Sequence, residues 1–102
     1  MQEIIAAKRQ EIVELCRIHG VQRLAVFGSA ARNDFDPGKS DIDLLVAFQP
    51  LPPIELGRSV VSLQDDLEKL FRRRVDLIRE GTIRNSVRLR HIDRDRVLLY
   101  AA

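Results

Sequence analysis

With 102 residues, 45% of them hydrophobic, the chain has apolar material for one small domain with a single core and too little for a second. Seventeen Lys and Arg against fifteen Asp and Glu leave a net charge of +2, short of the strongly basic balance of a dedicated nucleic-acid binder. No apolar run approaches the ~18 residues of a membrane span, the N-terminus lacks the charged-then-apolar order of a signal peptide, and Cys16 has no second cysteine to pair with. A cytoplasmic protein without a membrane role is the expectation.

In chain order, residues 2–18 read as an amphipathic helix, with Ile5, Ile12, Leu15 and Cys16 on one stripe. Gly20 closes it, since glycine takes the left-handed conformation without strain. His19 reads as a helix-end residue, because a lone histidine without metal-ligand spacing is a weak signal. Residues 21–27 then form a strand whose run Leu24 to Phe27 is apolar enough to be covered on both faces, and so central in a sheet.

The run breaks at Gly28-Ser29, and residues 29–32 are expected to open a short helix from that turn. A glycine-serine turn between strand and helix offers backbone N–H groups and a hydroxyl to phosphate oxygens. Residues 33–39, rich in Asn, Asp, Pro and Gly, form a loop, with Asp34 and Asp36 as turn formers. Residues 41–48 form the second strand. Its first two carboxylates, Asp41 and Asp43, are spaced i, i+2 and share one face of the sheet. Held that close they repel each other unless a cation lies between them. Turn and acid pair together point to metal-assisted chemistry on a nucleoside triphosphate.

Pro50, Pro52 and Pro53 take the chain out of the sheet, because proline cannot donate to a strand ladder. From Ile54, the positions Leu56, Val60, Leu63, Leu67 and Leu70 recur at helical steps, giving a second amphipathic helix over residues 54–71. Asp65, Asp66 and Glu68 fall mostly on its wet side and read as a solvated face. Residues 75–78 form a third strand carrying Asp76. An aspartate inside an apolar strand is costly to bury without a receiver. It either caps a turn or pairs with Arg79, or its strand lies beside that of Asp41 and supplies a third carboxylate. The second arrangement is favoured. Residues 83–92 read as a short helix with Val87 and Leu89 inward, 93–95 as a turn, and 97–100 as an edge strand or docked tail. The arginines gathered in this half, from Arg72 to Arg96, suit a solvated face or a surface for phosphate or an acidic partner.

The order Gly28-Ser29, Ala31-Arg32, Ser40-Asp41-Ile42-Asp43-Leu44, then Asp76 in an apolar strand, resembles the minimal nucleotidyltransferase domains of the DNA polymerase β superfamily, across Val21 to Tyr100. One departure is Asn33, where such domains commonly carry glycine; asparagine tolerates the left-handed region better than most residues. The resemblance implies an α+β fold, a small mixed sheet flanked by helices, with residues 1–102 as one such domain. It also implies that Asp41, Asp43 and Asp76 are catalytic and hold two Mg²⁺ ions on the triphosphate of ATP, with Asp76 nearest the attacking hydroxyl as general base. Gly28, Ser29, Arg32 and Ser40 would then contact the nucleotide, with Lys39 a further phosphate candidate.

Small stand-alone domains of this kind resemble the antitoxin half of pairs whose toxin is a helical HEPN-family ribonuclease, silenced by transfer of AMP to a tyrosine hydroxyl. That implies a HEPN toxin as partner and acceptor, by analogy with the family. Two alternatives stay open: a binder that neutralises its partner by contact alone, and a nucleotidyltransferase acting on RNA or a small hydroxylated molecule. Direct nucleic-acid binding is not the expectation.

Overall fold

The computed structural model describes residues 2–32, 36 and 41–102; Lys39 and Ser40 lie outside the described residues, as do Asn33 and Asp34. The elements follow as α1 (Glu3–Ala6), α2 (Arg9–Ile18), β1 (Val21–Phe27), a 3-10 turn (Gly28–Ala30), β2 (Ile42–Phe48), α3 (Pro53–Phe71), β3 (Val75–Arg79), α4 (Ser86–Asp95) and β4 (Val97–Ala101). The strands form one four-stranded sheet in the order β3-β2-β1-β4. Pairing is antiparallel between β1 and each of β2 and β4, and parallel between β2 and β3, so the sheet is mixed. The α+β expectation holds, β1 is central, and the final strand is an edge.

Alternation sorts the strand residues onto two faces. Leu24, Val26, Ile42, Leu44 and Val46 point to a core shared with Ile5, Ile12 and Cys16 from α1 and α2 and with Leu63, Leu67 and Phe71 from α3. Most of these side chains are fully buried. Burial pushes the Cys16 thiol up to about 12, which leaves it inert at neutral pH. On the opposite face Phe27 and Leu45 pack with Ile92 of α4, with Ile78 and Ile83 alongside. No helix among the described residues is long and apolar enough to cross a membrane.

Three local differences from the sequence reading have physical causes. The first helix is broken, because Lys8 leaves the helical region (φ −107°, ψ 15°) and its N–H turns to the Ile5 carbonyl three residues back. The break lets α1 bury Ile5 while Gln2 reaches the Gly28–Ala30 turn, its N–H donating to the Ala30 carbonyl at 2.9 Å. The last helix starts at Ser86 because Asn85 caps it, Oδ1 accepting the Arg88 N–H at 2.9 Å. That phase turns Ile92 inward, leaves Val87 and Leu89 exposed and carries the helix through 93–95. Nor is the acidic group on α3 only a wet face: Asp66 Oδ2 meets His19 Nε2 at 2.7 Å, and Glu68 accepts the Val75 N–H at 3.1 Å.

Leu67 is fully buried between α3 and the sheet, whereas Val61 on the same helix is 70% exposed. Leu67→Ala should lower unfolding free energy by about 2–5 kcal/mol through lost burial and a cavity, and Val61→Ala by less than about 0.5 kcal/mol. Urea denaturation of both variants checks the difference.

Candidate functional site

The antiparallel register pairs Phe27 with Asp43, so the acid emerges beside the residue that ends β1 and opens the turn. Gly28 follows at φ +65°, a conformation in which side chains are strained. A Cβ on Gly28 would run into Asp43 Oδ2 and stand 3.3 Å from its Cγ. Only glycine both makes the turn and leaves room for the carboxylate against it. The expected helix over 29–32 is a single 3-10 turn, in which the Gly28 carbonyl accepts the Ala31 and Arg32 N–H groups at 3.1 and 3.2 Å. Ser29 is half-buried in that turn, and its hydroxyl bonds to no described residue.

On the other side, the parallel register pairs Asp43 with Asp76. Partners in register point to the same face, so these two acids stand side by side on neighbouring strands. Of the two arrangements open for Asp76, the structure has the one beside the acid-bearing strand. Asp41 precedes β2 by one residue and is exposed, as is Asp76; Asp43 is half-buried. Burial, then the charges of Asp76 and Asp41, push Asp43 up to about 6, with Arg88 and Arg32 pulling the other way. The three acids are thus brought together electrostatically. They do not form a closed cage: among the described residues, no three acidic, imidazole or thiol side chains are gathered closely enough to hold an ion.

That openness suits Mg²⁺, which keeps several waters and commonly binds through one or two carboxylates plus substrate phosphates. Repelling oxygen ligands beside a bare glycine turn have the right chemistry for such an ion and for a phosphate close by. Asp43 with Asp76 or Asp41 are the residues that could hold it. Ser40 falls outside the described residues. A cleft of about 520 Å³ toward the start of β1, lined by Arg23, Ala25, Glu80, Arg96 and Leu98, offers no such acid pair. Its one acid, Glu80, is already bound to Arg23 at 2.8 Å.

Arg32 is held from two sides. Its Nη1 donates to Asp95 Oδ2 of α4 at 2.6 Å, and its carbonyl accepts from Gln2 Nε2 at 2.6 Å. Hydrogen bonds from Arg94 and then Arg32 hold Asp95 below the usual carboxylate range. Gln2, Arg88 and Asp95 therefore belong to the surroundings of the site although the sequence did not single them out. The cap at Asn85 was the available signal, since it sets the α4 face that carries Arg88, Ile92 and Asp95.

A family model described as a nucleotidyltransferase domain matches residues 9–99. Protein adenylyltransferase MntA of Thermococcus cleftensis is 30% identical over 87 residues, 85% of this chain and 81% of that one. A solved minimal nucleotidyltransferase structure shares 32% identity at TM-score 0.66, covering 93% of this chain and 92% of that one. A solved complex described as a tri-AMPylated Shewanella oneidensis HEPN toxin with its MNT antitoxin contains a chain of similar fold, at TM-score 0.63 and 21% identity over 95% of this chain and 72% of that one.

Because the fold favours neutral Asp43, its stabilising contribution is complete below about pH 4 and disappears as pH rises through about 6. Asp43→Asn should therefore stabilise the metal-free protein at pH 8, by roughly 1 kcal/mol once solvent screening of a half-exposed group is allowed for, and add little at pH 4. Thermal melts at the two pH values in a chelator measure this. Gly28→Ala should cost about 1 kcal/mol or more at both, since left-handed strain and the Asp43 clash do not depend on protonation alone.

Proposed function

Since this chain belongs to the nucleotidyltransferase domain family, we propose that it is a protein adenylyltransferase moving AMP from ATP to a tyrosine hydroxyl of a HEPN-type toxin, and so acts as an antitoxin. The observation carrying this reading is Asp43 standing in register with Asp76 while its carboxylate lies against the bare backbone of Gly28. The MntA relative and the AMPylated toxin complex support the choice of AMP as the group transferred and of a HEPN partner as its acceptor.

The tyrosine oxygen attacks the α-phosphorus of ATP, the bond from that phosphorus to the bridging oxygen breaks, and pyrophosphate leaves. Asp76, exposed at the rim of the acid group, takes the phenolic proton. Asp41 and Asp43 supply the negative charge that draws cations to the triphosphate. Mg²⁺, when bound, lowers the pKa of the attacking hydroxyl and offsets charge on the α-phosphate and pyrophosphate. Gly28 lets the turn approach the phosphates, Ser29 donates its free hydroxyl to one of their oxygens, and Arg32, braced by Asp95 and Gln2, adds positive charge beside them. Ser40, next to Asp41 in sequence, is assigned to the same nucleotide contact. Residues 1–102 form a single unit for this chemistry, and an ATP-consuming enzyme whose lone thiol is buried and unpaired suits the cytoplasm. A contact-only binder would have no use for acids whose mutual repulsion destabilises the fold.

Incubation with [α-³²P]ATP, Mg²⁺ and the co-expressed partner should label the partner protein, and [γ-³²P]ATP should not. Asp76→Asn should slow transfer by roughly 10²-fold or more with nucleotide affinity kept within about threefold. Equal loss of rate and affinity would make Asp76 a structural residue. Asp41→Asn with Asp43→Asn should remove both transfer and the thermal shift given by Mg²⁺ with a non-hydrolysable ATP analogue.

A further inference from the structure

The pairing of β2 with β3 fixes which backbone groups of β3 face outward. Ile42 donates its N–H to the Arg74 carbonyl at 3.1 Å, and Glu80 donates to the Val46 carbonyl at 2.8 Å. Residues 74, 76, 78 and 80 therefore turn their amides and carbonyls toward β2, and by alternation Val75, Leu77 and Arg79 turn theirs to the free edge of the sheet. Such an edge is a template for another strand unless the protein blocks it.

The chain blocks it at both ends and leaves the middle open. At Val75, Glu68 Oε2 accepts the N–H at 3.1 Å and Gln64 Nε2 donates to the carbonyl at 3.2 Å, both from α3. Thr82 donates to the Arg79 carbonyl through its N–H at 3.3 Å and its hydroxyl at 2.7 Å. Between these blocks, the Leu77 N–H, the Leu77 carbonyl and the Arg79 N–H have no partner among the described residues. This gap adjoins Asp76, whose side chain shares the face of Asp43.

We propose that this open stretch of β3 is the acceptor's docking strip: an extended, acidic protein segment adds to the sheet there, its hydroxyl-bearing side chain on the face of Asp43 and Asp76. The inference rests on the protein adenylyltransferase reading. Side chains across neighbouring strands stand about 5 Å apart, so strand addition delivers a residue next to Asp76 without any further domain to hold the acceptor. The charge follows from Arg72, Arg74 and Arg79, exposed residues before and at the end of this strand that pair with no described acid. Alternating donors and a carbonyl acceptor complement a peptide backbone, whereas an RNA phosphate would meet the Leu77 carbonyl and the Asp76 charge.

Position 79 gives a direct test, because its N–H points outward and its side chain is exposed, and an edge strand tolerates proline there. The probes are acetyl-Glu-Glu-Tyr-Glu-Glu-amide, which presents acids on both faces of the added strand, tyrosinamide and a short RNA, each with [α-³²P]ATP and Mg²⁺. The peptide should be a better acceptor than tyrosinamide, and Arg79→Pro should reduce its kcat/KM by roughly tenfold while leaving tyrosinamide transfer and the ATP-analogue thermal shift unchanged. In case that variant misfolds, Arg74→Glu with Arg79→Glu provides a second arm, expected to disfavour the acidic peptide and favour one flanked by lysines. Equal use of peptide and tyrosinamide, unchanged peptide transfer by Arg79→Pro or by the charge-reversed variant, or label on the RNA would each overturn the proposal. An unsubstituted chain that shows no ATP-analogue shift would instead remove the adenylyltransferase reading beneath it.

Discussion

The burial of Asp43 beside two like charges is the constraint around which the site is arranged. Burial and the nearby charges of Asp76 and Asp41 make ionisation of Asp43 unfavourable, and the missing Cβ of Gly28 leaves the space that its carboxylate occupies. The strand register leaves no easy escape either, since Asp43 is fixed between Phe27 on one side and Asp76 on the other. A carboxyl held in that way favours its neutral form, and a cation placed against it would relieve both the burial and the like charge.

The rest of the structure carries that cost by separating stability from chemistry. One face of the sheet meets α1, α2 and α3 in a continuous apolar core, where nearly every side chain is fully buried. On the other face, among the described residues, Phe27, Leu45 and Ile92 form a small cluster with Ile78 and Ile83 alongside, and the acids stand on that same face. Substitution on the acid face thus leaves most of the burial energy untouched, whereas loss of a core leucine falls directly on stability.

The turn that carries Gly28 and Ser29 is short and would be loose by itself. Gln2 ties it to the beginning of the chain, and Asp95 ties Arg32 to α4, so segments from both ends of the sequence fix a few central residues. The edge strand β3 shows the same economy: side chains of α3 and Thr82 satisfy its outward groups except in the stretch next to Asp76. The open stretch of β3 therefore adjoins the acids.

Much of this was legible in the sequence because it depends on local patterns. Apolar periodicity gave α3 and the strands, glycine and proline marked where they end, and the i, i+2 spacing of Asp41 and Asp43 set a shared face without reference to the rest of the chain. The pairing of β2 with β3 decided that Asp76 joins them, since register between strands separated by a long helix is a non-local property. Packing likewise split the first helix at Lys8 and turned Ile92 of α4 inward in place of Val87 and Leu89, through a cap and a core contact that periodicity cannot weigh. The sequence by itself determined the glycine-serine turn and the shared face of Asp41 and Asp43; only the tertiary structure decided that Asp76 is their neighbour, because register acts between strands that the chain order keeps apart.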